Sequence, residues 1–367
     1  MAGLIGSRPA GGRDGVTQSS AANSGVRPTR LVPGIETLRL VAALWVALSH
    51  GAAPPLKELL SVEGGPLRLV FGALAASFNG TAAVVVFFLI SGFCIHLPNV
   101  GRPVLDWRRF LVRRFVRICL PLLAALGAVH ALGKPYVAAE DAVLWSVYCE
   151  LVYYALYPAL FIAFRKWGVG PLLLASTIPS AFLLLMKPEV SYLWGFGPLT
   201  WLFCAPSWLL GVELAEWYRR RSPPVRAPQI GLWRLGAVAG CIAATVGLYH
   251  LPIRIGFGWS MAPFSVYGFF WLKREIEHFE LKGTAPALET MGAACYSLYL
   301  VHNVVLAAVR ENLGPTEELV PWAAGVVLIA VSAAGFYLLI ERPSHRLARW
   351  AGTRRPQRPV SAHQADA

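Results

Sequence analysis

The chain has 367 residues, of which 56 % are hydrophobic and 14 % charged, and its formal net charge is +13. A soluble domain carries about a quarter charged residues, so the missing charge points to a surface facing lipid, and to one membrane domain rather than two soluble ones. The positive charge falls mostly in short connectors between apolar segments, and no soluble basic domain remains to hold a duplex, which sets nucleic-acid binding aside.

Residues 1–30 are rich in Gly, Ser, Ala and Arg and lack the apolar core of a signal peptide, so they read as a disordered cytoplasmic tail. A spanning helix needs roughly 20 mainly apolar residues. Runs of that kind fall at 35–53, 81–97, 115–132, 142–164, 169–186, 199–217, 231–250, 254–272, 287–309 and 321–340. The expectation is an all-α, polytopic bundle of about ten transmembrane helices over 31–346, followed by a basic cytoplasmic tail over 347–367. The apolar stretch 67–78 either lengthens the second helix or lies along the interface. Connector charge alternates. One side holds Arg102, Arg108, Arg109, Arg113 and Arg114, then Arg165 and Lys166, then Arg219, Arg220, Arg221 and Arg226, then Lys273, Arg274 and Lys282. The other holds Lys57 with Glu58 and Glu63, Lys134 with Glu140 and Asp141, Lys187 with Glu189, and Glu311, Glu317 and Glu318. Both termini are therefore expected in the cytoplasm, as an even number of helices requires.

Ionisable residues inside these segments need a reason, because charge in lipid costs several kcal/mol. In the first helix Arg39 and His50 are eleven residues apart. At about 100° per residue they share one face, roughly 16 Å apart along the axis. Glu36 joins Arg39 at i,i+3. The stripe either faces a cavity or anchors the two interfaces by snorkelling. In the fourth helix Glu150 sits deep in an apolar run with Ser146 one turn earlier, and must be protonated or paired. In the ninth, His302 is near mid-helix with Tyr299 on its face, where helix-to-helix hydrogen bonding is an alternative to a role in a site. The run from Arg108 to Arg117 leads into the third helix. Arg109, Arg113 and Arg117 form an i,i+4 stripe with Arg114 beside it, and guanidinium forks suit phosphates. A positive-inside cluster explains most of that run but explains Arg117, inside the apolar segment, less well. Several ionisable groups in one bundle point to a polar cavity, with His the natural general base near neutral pH. The six cysteines all lie in apolar segments and none forms a CxxC pair, so they read as small buried hydrophobes. There is no metal-spaced His/Cys cluster, nucleotide-binding Gly-rich loop or GxSxG elbow.

These residues resemble acyltransferase family 3, the bacterial membrane O-acyltransferases typified by O-antigen acetylases, from about Pro33 to Arg346. Glu36-Thr37-Leu38-Arg39 through His50 resembles the family's D-G-L-R…H opening, and Val86-Phe87-Phe88-Leu89-Ile90-Ser91-Gly92-Phe93 its F-F-x-x-S-G-F segment. Arg114-Phe115-Val116-Arg117 resembles its R-x-x-R element, and Trp145-Ser146-Val147-Tyr148-Cys149-Glu150 its W-S-L-x-x-E segment. Tyr296-Ser297-Leu298-Tyr299-Leu300-Val301-His302 resembles Y-S-x-Y-L-x-H, and Glu341-Arg342-Pro343 the closing E-R-P. The chain departs in Glu36 for Asp, Thr37 for Gly, and Leu151 where a second acid often follows the fourth-helix Glu.

The resemblance implies an enzyme of the bacterial cytoplasmic membrane that takes an acyl group, commonly acetyl, from cytoplasmic acyl-CoA and passes it to a hydroxyl of a cell-envelope or exported glycan, with no metal. It implies His50 as general base, Arg39 and Glu36 orienting the site, Arg113, Arg114 and Arg117 gripping coenzyme A phosphates, and Glu150, His302, Tyr299 and Ser146 positioning the acceptor or tuning His50. Acylation of a small secondary metabolite fits the same motifs. A proton-coupled transporter or exporter of a sugar-containing substrate is the alternative from another class.

Overall fold

A computed structural model describes residues 32–55, 66–249 and 256–351. The tail expected over 1–30, the start of the span expected at 254–272 and the chain beyond Ala351 lie outside them, as does the connector holding Lys57, Glu58 and Glu63. The described residues form helices and the loops between them, with no strand.

Helix α1 (Ile35–Ala47) starts after Gly34, whose left-handed φ of 87° turns the chain into the bundle, and runs into a π-helical turn at Leu48–Ala52. Helices α2 (Pro66–Ser77) and α3 (Gly80–His96) break at Phe78 and Asn79, where the Asn79 side chain caps α3 by accepting the Ala82 N–H at 3.0 Å. The 67–78 stretch is thus a helix of its own, though it continues apolar into α3 as the run Leu69–Asn99. Helix α4 (Trp107–Leu132) begins eight residues before the expected 115, because Asp106 caps it by accepting the Arg109 N–H, so the arginine run lies on a helix rather than in a connector. Helix α5 (Lys134–Trp167) follows Gly133, at φ 112°, and absorbs the connector expected to hold Glu140 and Asp141. Then come α6 (Val169–Met186), α7 (Thr200–Arg220), α8 (Ile230–Tyr249), α9 (Phe257–Lys282) and the short α10 (Pro286–Gly292). Helix α11 (Cys295–Asn312) is bent by 65° from α10. Helix α12 (Leu319–Phe336) passes through a second π turn, Tyr337–Glu341, into α13 (Arg342–Ala351).

Among the described residues, seven helical stretches are long and apolar enough to cross a membrane, or eight if α10 and α11 make one span. Of the ten expected, α1 falls short with 13 helical residues, and α9 carries Lys273, Arg274, Glu275, Glu277, Glu280 and Lys282 in its C-terminal half. Helix α3 is the centre of the bundle. It is apolar all round and mostly buried, whereas α6 turns Leu174, Ile178 and Phe182 outward. Helix α3 packs on α7, α1 and α9. Its crossing with α7 is close because Gly92 and Gly211 face each other: a Cβ on Gly92 meets the Trp208 carbonyl, and one on Gly211 meets that of Leu89.

Candidate active site

The π turn after α1 sets the first group of the site. The turn Leu48–Ala52 contains Gly51, whose φ of 116° suits glycine, and the Arg310 guanidinium of α11 donates to the His50 carbonyl at 2.5 Å. This swings the His50 ring onto His302 of α11. His50 Nδ1 and His302 Nε2 are 2.9 Å apart, with the rings within 8° of parallel. The hydrogen bonds fix the tautomers. His302 is fully buried, and its Nδ1 lies 2.7 Å from the Tyr299 carbonyl, which can only accept, so Nδ1 carries the proton. In the neutral ring Nε2 then holds the lone pair and receives the His50 Nδ1–H. His50 is left with Nε2 bare, its lone pair directed away from the pair: the state a general base requires.

Toward the middle of the bundle the polar groups tie helices together. Tyr299 Oη donates to the Val143 carbonyl at 2.7 Å and therefore accepts from Ser146 Oγ, also at 2.7 Å, joining α11 to α5. Glu150 Oε1 accepts from Ser91 of α3 and, at 2.8 Å, from Tyr154, while Trp208 Nε1 donates to Ser91 Oγ at 3.2 Å. The other Glu150 oxygen is buried with no hydrogen-bond partner among the described residues. The same holds for both oxygens of Glu140, whose residue is fully buried. Asn303 donates to the Ala139 carbonyl, and Tyr299 to that of Val143, so α5 and α11 run antiparallel and Glu140 stands at the height of His302.

At the other end of α1, Arg39 Nη1 bonds both Glu36 oxygens at 3.0 and 3.2 Å. Arg117 lies within electrostatic reach of both Arg39 and Arg114, Glu150 of Arg114 and Arg39, and Glu341 of Arg117 and Arg39. Glu341 closes the second π turn, is buried, and accepts the Ser297 N–H at 3.0 Å and its hydroxyl at 2.5 Å. Arg114 stacks over the Phe110 and Tyr154 rings, and Arg117 Nε donates to His345 at 3.0 Å. Arg113, half-buried, stands one turn before Arg117 on α4. Apart from Arg113, the expected site residues thus lie among α1, α3, α4, α5 and α11, with the histidine pair at one end and Arg39, Arg114 and Arg117 at the other.

Residues 32–341 match the model of an acyltransferase domain. The chain belongs to acyltransferase family 3. No curated protein and no solved structure gives a match. This family 3 acyltransferase is a multi-pass membrane protein, and the contacts give its sequence landmarks a physical reason. The opening His reaches the closing His of Y-S-x-Y-L-x-H. The Ser of that segment holds the Glu of E-R-P. The two W-S-x-x-x-E polar groups reach Tyr299 and the Ser of F-F-x-x-S-G-F. Sequence reasoning did not single out Glu140, Tyr154, Glu341 or His345 as parts of the site. The i,i+4 spacing of Glu150 and Tyr154 was a usable signal, whereas Glu140 sat at the edge of an apolar run and resembled an ordinary connector acid.

Proposed function

We propose that this acyltransferase moves an acetyl or similar acyl group from cytoplasmic acyl-CoA to a hydroxyl of a cell-envelope or exported glycan, with His50 as general base. The observation that carries this reading is the His50–His302 hydrogen bond, because its tautomers leave the His50 Nε2 lone pair unengaged. The acceptor O–H gives its proton to that nitrogen as its oxygen attacks the thioester carbonyl. The C–S bond breaks, and the departing thiolate takes the proton back from the imidazolium, so one ester and one free thiol result. His302 orients the ring, and Arg39, held by Glu36, orients the donor end of the site. Arg113, Arg114 and Arg117 hold the donor's phosphates, Arg through paired N–H donors that match phosphate oxygens. Tyr299 and Ser146, which satisfy each other across α5 and α11, fix the wall on which an acceptor would rest; Glu150, with one oxygen unengaged, is a group that can bind it.

In this reading α1 and α9 complete ten crossings of a bacterial cytoplasmic membrane, both termini are cytoplasmic, and donor and acceptor approach from opposite faces. Mass spectrometry of envelope glycans from cells with and without the protein tests the substrate assignment. The expected result is a mass difference of one acyl group on a glycan hydroxyl; unchanged glycans would remove the glycan from the proposal.

A further inference from the structure

The chain after His50 reads Gly51-Ala52-Ala53-Pro54-Pro55. In an α-helix the His50 carbonyl would accept from the N–H four residues on, and in a π turn from the one five residues on. Those residues are Pro54 and Pro55, which carry no N–H. The sequence therefore leaves without a helical donor the carbonyl of the residue whose ring meets His302. Beyond it the backbone turns away, through Gly51 at φ 116° to an extended Ala53. Arg310 supplies the missing donor, since its Nη2 bonds the His50 carbonyl and places a cation at the carbonyl end of the helix. Side chains lean toward the N-terminus of their helix, so Arg310 reaches back along α11 toward His302, about two turns earlier. One helix thus holds His50 twice, by its ring and by its backbone. The guanidinium lies against Gly51, where a Cβ would meet Nη2, and Thr316 of the loop after α11 closes over the same place, its Oγ1 3.0 Å from that Cβ position. Among the described residues Arg310 forms no ion pair, so its guanidinium is committed to the turn.

We propose that Arg310 is a positioning residue for acyl transfer: its guanidinium stands in for the backbone N–H that Pro54 and Pro55 lack, and fixes the turn so that the His50 ring is held against His302. This rests on the reading of His50 as general base. Without Arg310 the carbonyl must turn to water, the turn loosens, and the ring leaves the His302 lone pair that sets its tautomer. Arg310 touches neither donor nor acceptor; it acts through His50. A displacement of about 1 Å at a reacting group costs on the order of a hundredfold in rate.

The test uses full-length protein in proteoliposomes, made with isotope-labelled histidine, and compares wild type, Arg310→Ala, Arg310→Lys, Glu311→Gln and His50→Ala. Solid-state NMR reads the histidine pair as an Nδ1–H to Nε2 correlation between two imidazoles, assigned by its absence in His50→Ala. Wild type and Glu311→Gln should show it, and Arg310→Ala should lose it. Arg310→Lys, whose ammonium can also donate to the carbonyl, should keep it. On the same preparations, transfer from labelled acetyl-CoA should fall about tenfold to a hundredfold in Arg310→Ala, with coenzyme A binding unchanged. If Arg310→Ala keeps the correlation or transfers at the full rate while His50→Ala is inactive, the positioning role is overturned and the base reading stands. If His50→Ala transfers at the full rate, the base reading falls and takes the positioning role with it. Wild type without the correlation would remove the histidine pair, and the role of Arg310 likewise. Should Arg310→Ala resist reconstitution, Gly51→Ala, whose methyl group takes the place of the guanidinium, is judged by the same two readings.

Discussion

At the scale of single residues, one hydrogen bond decides what the site can do. In the proposed mechanism His302 is a positioning residue: its Nδ1–H, spent on the Tyr299 carbonyl, makes its Nε2 the acceptor that sets the His50 tautomer. Replacing His302 with Ala lets the His50 ring rotate and change tautomer. The account expects kcat to fall about a hundredfold while KM for acyl-CoA stays put, which steady-state kinetics on the purified protein would read. Glu341 has a different job. Glu341→Ala strands the buried N–H and hydroxyl of Ser297, so the protein should lose about 1–3 kcal/mol of stability, seen as a lower Tm in detergent. Arg39 and His50 stood out in the sequence as ionisable residues inside an apolar run, but the α-helical face expected to join them is broken, because α1 ends at Ala47 and His50 lies in the π turn. The partner of His50 was not legible, since 252 residues separate it from His302 and no periodicity crosses that distance. Glu140 was illegible for another reason: a charge at the edge of an apolar run looks like a connector, and only the packing of α5 on α11, through the Ala139 and Val143 carbonyls on either side of it, buries it.

Among elements, the crossings and breaks matter more than the lengths. The apolar runs located most of the helices, since hydrophobic length is what a bilayer selects. Starts were less legible, because caps act locally: Asp106 draws α4 back over the arginine run and Asn79 separates α2 from α3. The two π turns were invisible in composition, yet each contains a residue of the polar track, His50 and Glu341. The α3–α7 crossing yields a direct expectation. Gly92→Ala puts a methyl group into the Trp208 carbonyl, and the helices must separate, at a cost of about 1–3 kcal/mol. Thermal unfolding followed by loss of the monodisperse peak would show it, whereas Gly127→Ala, with open space around its Cβ position, should leave Tm where it is.

At the scale of the whole molecule, the bundle is a wall with a polar track through it. Positive connectors set which face is cytoplasmic, so a fluorescent protein fused after α13 should fold and fluoresce, and alkaline phosphatase fused there should be inactive. The opposite pair of results would invert the topology and put the arginine end on the wrong side for a cytoplasmic donor. The central claim is that the track ends in a general base at His50. The most direct test is acyl transfer from labelled acetyl-CoA in proteoliposomes by wild type and His50→Ala, with coenzyme A binding measured on the same preparations. The account predicts that the variant inserts and binds coenzyme A as wild type does while transfer falls by about 10²–10⁴-fold. A variant that inserts, binds and transfers at the full rate would contradict it.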